Sequence, residues 1–203
     1  MTSHPTTMEY RHSQVVDPSL YDNDGLFEGI ALRVHHNTEL EDRGCIRARR
    51  DWQRLHDSVP STYTGVMGPE YSFVSTWLPE TLPDRFELMA YMHEMAFLFD
   101  DMIDDAEDPT TFAMAYMADF FQVHRLVMGG GDLDKMKSIS NTPITTIFAD
   151  VTKAMVAVDA ERTRTVFHWV EKWGLAFINR PTPKDFRDFD HYLEYRFTNF
   201  ASE

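Results

Sequence analysis

Cysteine is almost absent: Cys45 is the only one in 203 residues. No intrachain disulfide, CxxC redox pair or multi-cysteine zinc cluster can therefore exist, and a reducing compartment suits the chain. Cations are scarce as well, with 19 Lys+Arg against 33 Asp+Glu and a formal charge of −14. Beyond Arg47, Arg49 and Arg50 there is no basic cluster, which argues against nucleic acid as a partner, because that binding rests on Lys and Arg neutralising phosphates. An anionic ligand would need divalent cations to mediate its contact with so acidic a protein. Long apolar runs are missing too; none approaches the roughly 18 residues of a membrane span, and the polar stretch from Met1 to Asp24 lacks the apolar core of a secretory signal. The chain reads as cytoplasmic, with no membrane anchor.

What is present, 43% hydrophobic and 13% aromatic residues, is enough for one soluble domain with a core. Residues 1–24, with Pro5, Pro18 and several Asp and Asn, read as an N-terminal arm, and 25–203 as the body of the domain. The Asp22-Asn23-Asp24-Gly25 cluster makes no calcium loop, since the matching first and twelfth positions are Leu20 and Ala31. Charged residues dominate from Leu40 to about Leu55 and predict a helix with a solvated face. Pro60, Pro69 and Pro79 interrupt the next stretch repeatedly, and Pro83 suits the first turn of a helix. Phe86, Met89, Ala90, His93, Phe97, Asp100, Asp101 and Asp104 then recur at steps of three and four, the clearest helical period in the chain. Further helices are expected from Thr111 to Val127, from Ile144 to Val158, from Val166 to Phe177, and on the stripe Phe186, Phe189, Leu193, Arg196 and Phe200. Gly129-Gly130-Gly131 with Asp132 to Asn141 reads as a flexible connection and Pro181-Thr182-Pro183 as a stop. No alternating run predicts a strand, so the expected fold class is all-α.

The sharpest chemical signal is Asp100-Asp101-Met102-Ile103-Asp104, with Asp105, Glu107 and Asp108 just beyond. Four residues apart on a helix, Asp100 and Asp104 project side by side, and Asp101 stays near Asp104 through the three-residue step. Like charges at that spacing destabilise a helix unless a cation neutralises them. Oxygen-only ligands favour Mg²⁺ or Mn²⁺ over softer metals, and Mg²⁺ held by one or two carboxylates leaves positions for water and phosphate oxygens. In a chain this rich in Asp the string alone is weak evidence. Its place at the end of an aromatic, Met-rich helix, on the face of Phe86, Met89, His93 and Phe97, points to metal binding rather than to a solvated helix end. Phe97, one turn before the acids, either lines a cavity whose mouth they define, where its ring could stabilise a cation, or packs in the core. Arg196 either snorkels to the surface or aims its guanidinium at an anion. His93 reads as a packed, hydrogen-bonded histidine, with no HExxH or ExxH pairing around it. Nucleophilic catalysis has no constellation, since Cys45 has no assignable base and there is no GxSxG.

Four segments together resemble the class I terpene synthases: Leu78-Pro79-Glu80-Thr81-Leu82-Pro83-Asp84-Arg85; Ala96-Phe97-Leu98-Phe99-Asp100-Asp101 with the rest of the acidic motif; Tyr21-Asp22 with Gly25-Leu26; and Tyr192-Leu193-Glu194-Tyr195-Arg196. The resemblance is strongest to the cyclase domain of fungal bifunctional di- and sesterterpene synthases of the fusicoccadiene and ophiobolin F type, and it spans nearly the whole chain. It implies a helical class I terpenoid synthase fold and a lyase of isoprenoid secondary metabolism. In such an enzyme several Mg²⁺ ions, partly held by the DDxxD motif, bind the diphosphate of a prenyl substrate such as geranylgeranyl or geranylfarnesyl diphosphate. Pyrophosphate leaves, and the allyl cation cyclises to a di- or sesterterpene in an aromatic-lined, water-poor cavity. By position, the resemblance assigns Asp100 and Arg196 to catalysis, and Asp100, Asp101 and Asp104 to the metal. It assigns Asp100, Arg196, Asn199, Phe97 and Phe73 to the substrate, with Arg196 as the diphosphate-sensing arginine and the two Phe rings facing the cation.

Some features depart from the family pattern. The second metal motif, N-D-x-x-S-x-x-x-E, has no match: Asp134 and Ser138 have its first spacing, but Thr142 stands where Glu belongs. Asn199 and Phe200 take places where Asp and Gly often follow the arginine, and the sequence ends at Glu203, seven residues after Arg196. The expectation is the N-terminal portion of a cyclase domain, incomplete at its C-terminus. The fused prenyltransferase domain of the bifunctional enzymes is absent from it, as is the second motif that would complete the metal cluster, so the activity of this chain alone stays an open alternative. A prenyl-elongating synthase would need a second aspartate-rich motif and basic residues that are not there. The alternative from another class is a non-catalytic helical interaction protein or a decayed cyclase fragment.

Overall fold

The computed structural model describes residues 10–22, 25, 29–55, 73–104, 106–131, 143–179 and 186–199. Among these the elements run β1 (Ser13–Val15), β2 (Arg33–His35), α1 (Thr38–Gln53), α2 (Phe73–Trp77), α3 (Pro83–Asp104), α4 (Pro109–Met128), α5 (Pro143–Asn179) and α6 (Phe189–Asn199). The all-α expectation holds, and none of these helices is long and apolar enough to cross a membrane. The chain divides after Phe99 into two compact units, 1–99 and 100–203.

In the first unit, one feature departs from the sequence expectation, a short antiparallel pair in which Ser13 faces His35, Gln14 faces Val34 and Val15 faces Arg33. Three residues are too few to show a period of two, so only tertiary partners can specify such strands. Arg33 supplies one set of these partners: its guanidinium donates to the Ser13 hydroxyl at 2.7 Å and the Ser13 carbonyl at 2.8 Å, and lies 3.8 Å over the Tyr10 ring. Glu80 supplies another, its carboxylate accepting the Arg11 N–H at 2.8 Å, the His12 N–H at 3.2 Å and the Ser13 hydroxyl.

Helix α1 has Glu39 and Glu41 in its first turn and Arg50 in its last, which suits its dipole. Its buried residues are Glu41, Gly44, Cys45, Ala48 and Trp52, a stripe of mostly small side chains hidden behind the charged face that the sequence displays. The small residues let α1 come close to α3. A Cβ on Gly44 would run into the Glu87 carbonyl oxygen and lie 2.8 Å from the Ala90 Cβ and 2.9 Å from the Tyr91 nitrogen. Cys45 packs its thiol toward the Ala90 carbonyl at 3.9 Å. Around this crossing Arg49 meets the buried Glu94 at 2.6 Å, and the Tyr91 hydroxyl donates to Asp51 at 3.0 Å.

In the second unit, Asp108 caps α4 by accepting the Thr111 N–H at 3.1 Å, with Pro109 behind it at the first helical position. The glycines after α4 end the helix rather than merely loosening the chain: Gly130 has φ +66°, and the Gly131 N–H returns to the Leu126 carbonyl at 2.8 Å. α4 packs along α5 through Val123, Val127, Leu126, Phe148 and Val156, with the Phe120 ring 5.2 Å from Phe148 and 5.4 Å from Phe167. α5 is two helices meeting at Asp159, whose φ of −162° and ψ of 97° break the first and whose carboxylate accepts the Arg162 N–H at 3.0 Å to start the second. The periodicity predicts these as separate helices. On the last stripe, Leu193 and Arg196 are half-buried, whereas Phe186 and Phe189 are exposed, Phe189 at 70%. Their rings pack locally on Tyr192, at 5.3 and 6.1 Å.

Candidate functional site

Phe97 and its neighbour by geometry, Phe73, are brought together in the first unit. Phe73 opens α2, and its ring meets Phe97 on α3 edge-on, with centroids 5.1 Å apart and planes at 80°. One turn along each helix, Trp77 meets His93 at 5.2 Å and 86°. The pairs 73/77 and 93/97 are each four residues apart, so each projects from one helix face, and the two faces form a ladder of four rings. Phe73 also packs on Trp77 at 4.9 Å and lies 6.4 Å from His93. Trp77 keeps 57% of its surface exposed, so the ladder has an open side.

His93 is fixed within it. Its Nδ1–H donates to the Met89 carbonyl at 2.8 Å, which leaves Nε2 as the acceptor of a neutral ring. Burial pushes its pKa below 6.5, against the opposing pulls of that hydrogen bond and of Glu41. The expectation of a packed, hydrogen-bonded histidine is met.

Trp77, Ser75 and Glu41 join the site without having been singled out from the sequence. The only signal in reach was the four-residue step from Phe73 to Trp77, and the surrounding prolines hid it. What builds α2 is Glu41, buried on α1 at 1% exposure. Its two carboxylate oxygens accept the Val74 N–H at 2.9 Å, the Ser75 N–H at 2.7 Å and the Ser75 hydroxyl. These are the donors that a helix N-terminus leaves unpaired, here satisfied by an acid from another helix.

Asp100 and Asp101 stand exposed on the last turns of α3, which end at Asp104 and carry no basic residue. A helix C-terminus already bears partial negative charge, so carboxylates there raise the local negative potential instead of relieving it. With oxygen donors only, the pair suits a hard divalent cation. Among the described residues no three His, Cys, Asp or Glu side chains gather as a metal cluster; the side chains of Asp104 and Asp105 lie outside the described part. Arg196 is half-buried on α6, which packs on α5. Asn199 closes α6, and its side chain is outside the described part, as are Asp134, Ser138, Thr142 and Phe200.

No family model matches the sequence. Individual relatives do. The chain is 37% identical over 196 residues to phomopsene synthase of Phomopsis amygdali, covering 96% of this chain and 26% of that protein. It is 32% identical over 193 residues to ophiobolin F synthase of Aspergillus clavatus, covering 93% and 25%. It is 30% identical over 195 residues to a bifunctional type I diterpene synthase of Aspergillus flavipes, covering 96% and 24%. The chain is thus a homologue of fungal di- and sesterterpene synthases, as the motif resemblance to class I terpene synthases implies. It matches them over nearly all of its own length and spans about a quarter of theirs.

Proposed function

We propose that this chain belongs to a Mg²⁺-dependent class I terpene cyclase, a diphosphate-releasing lyase of the cytoplasm. Its substrate is a prenyl diphosphate such as geranylgeranyl or geranylfarnesyl diphosphate, and its product a di- or sesterterpene. The observation that carries the reading is the homology to synthases of this kind over nearly the whole chain, beside the exposure of Asp100 and Asp101 near the end of α3. In this reading the carboxylates of Asp100, Asp101 and Asp104 hold magnesium, which supplies Lewis-acid neutralisation of the leaving diphosphate. Arg196 donates to the diphosphate oxygens, and Asn199 adds an amide nearby. Phe97 and Phe73 offer ring faces to the hydrocarbon and exclude water from it. The bifunctional relative supports a second activity beside the cyclase, which we read as a fused prenyltransferase that makes the substrate.

The test is incubation with geranylgeranyl diphosphate, with and without Mg²⁺, reading pyrophosphate release and hydrocarbon products by mass spectrometry, alongside Mg²⁺-dependent binding of inorganic pyrophosphate. Asp100→Ala is expected to abolish that binding and any release. Unchanged Mg²⁺-dependent binding in the variant would overturn the site assignment.

A further inference from the structure

We propose that Glu41 is a positioning residue for the aromatic ladder, and so for the course of cyclisation; the inference rests on the cyclase reading. Helix α2 has only five residues. A helix that short has no stability of its own, because nucleation fixes several dihedrals before hydrogen bonds repay them. Its placement must come from outside, and Glu41 provides it with three hydrogen bonds to consecutive residues, Val74 and Ser75. Two oxygens engaging two successive N–H groups fix both the axial position and the rotation of the helix, as a single bond could not.

Among the described residues no Lys or Arg side chain pairs with this buried carboxylate. Its charge is balanced by N–H and O–H donors and by the positive end of the short helix. Removing the acid therefore withdraws the charge-assisted bonds that seat α2 without unmaking an ion pair elsewhere. The rotation of α2 decides where Phe73 and Trp77 point, and they are half of the ladder, at 5.1 Å from Phe97 and 5.2 Å from His93. A slip of one residue in α2 turns both rings by about 100° away from α3. Glu41 touches none of the reacting atoms. It determines which faces of Phe73 and Trp77 meet the hydrocarbon, while the diphosphate is held by other residues.

The experiment compares the full chain with Glu41→Gln and Ser75→Ala, each with and without Trp77→Phe, so that Trp77 emission is obtained by difference. In Glu41→Gln the Trp77 emission is expected to shift to the red and become more open to acrylamide quenching, with a smaller shift in the same direction in Ser75→Ala. With geranylgeranyl diphosphate and Mg²⁺, kcat should fall on the order of 10-fold and the ratio of products should change, while KM stays within about twofold. Should Glu41→Gln not fold, Ser75→Ala, which loses only the hydroxyl contact, carries the test. Unchanged Trp77 emission in a folded Glu41→Gln would overturn the proposal. A shifted emission with an unchanged product ratio would overturn it too, reducing Glu41 to a structural cap. If Asp100→Ala leaves Mg²⁺-dependent pyrophosphate binding unchanged, the site assignment of the cyclase reading falls, and the emission still decides whether Glu41 places α2.

Discussion

His35 is held as a neutral ring from both sides: its Nδ1 accepts the Asn37 N–H at 3.0 Å, so Nε2 carries the proton given to the Thr81 carbonyl at 3.0 Å. The ring is buried and stacked on Phe86 at 3.9 Å. Burial lowers its pKa, and the same cause acts on His93 and on His124, which lies 3.3 Å from Glu171 but makes no hydrogen bond through Nδ1. Each folded pKa lies below the ordinary 6.5, so the unfolded chain binds more protons as the pH falls through that value. The stabilisation is complete above about 6.5 and is lost as the pH drops through the folded values. Glu80 acts in a lower window. The Ser13 hydroxyl, followed by the Arg11 and His12 amides, lowers its pKa from 4.5 to about 2, so its contribution is present above 4.5 and lost towards 2. Denaturant midpoints measured from about pH 8 to about pH 3 should therefore fall in two stages. His35→Gln should shrink the upper stage, to which His93 and His124 also contribute, and Glu80→Gln should flatten the lower; a midpoint that is flat between about pH 7 and about pH 5 would refute the first assignment.

At the scale of elements, a close contact is the α1–α3 crossing at Gly44. Gly44→Ala puts a methyl group against the Glu87 carbonyl and the Ala90 side chain, neither of which can move without parting the helices. A loss of roughly 1 to 3 kcal/mol is expected in denaturant unfolding, outweighing the higher helix propensity of Ala. A gain in stability would mean that the helices separate freely. Elements that carry their own period are legible in the sequence: α3, α4 and the two halves of α5 announce themselves through apolar steps of three and four. The strands and α2 do not, because they are specified from far away, by Glu80 across 67 to 69 residues and by Glu41 across 33 and 34. The same holds for the site. The acidic motif and Phe97 are local signals on one helix, whereas the partnership of Phe73 with Phe97, and of Trp77 with His93, depends on a buried Glu that looks like one more surface charge.

For the whole molecule, the charge of −14 means that the diphosphate contact proposed above would need cations to mediate it. Its architecture also implies an order of assembly. Closing a loop of 67 to 69 residues, as the bonds from Glu80 to Arg11, His12 and Ser13 do, costs about 4 kcal/mol of chain entropy, comparable with what those bonds return. The α1–α3 crossing joins residues only 40 to 45 apart and buries apolar surface as it forms. It should come first, leaving β1 to be laid down last and to leave first. Amide hydrogen exchange would record this as early loss of protection at Val16 and His36, whose N–H groups bond to Leu32 and His12 at 2.9 Å, with Ala48 and Ala90 opening only in global unfolding. Equal protection at all four would mean that strand and helices fold as one unit. If the order holds, the N-terminal segment is a late fastening on a helix pair already formed.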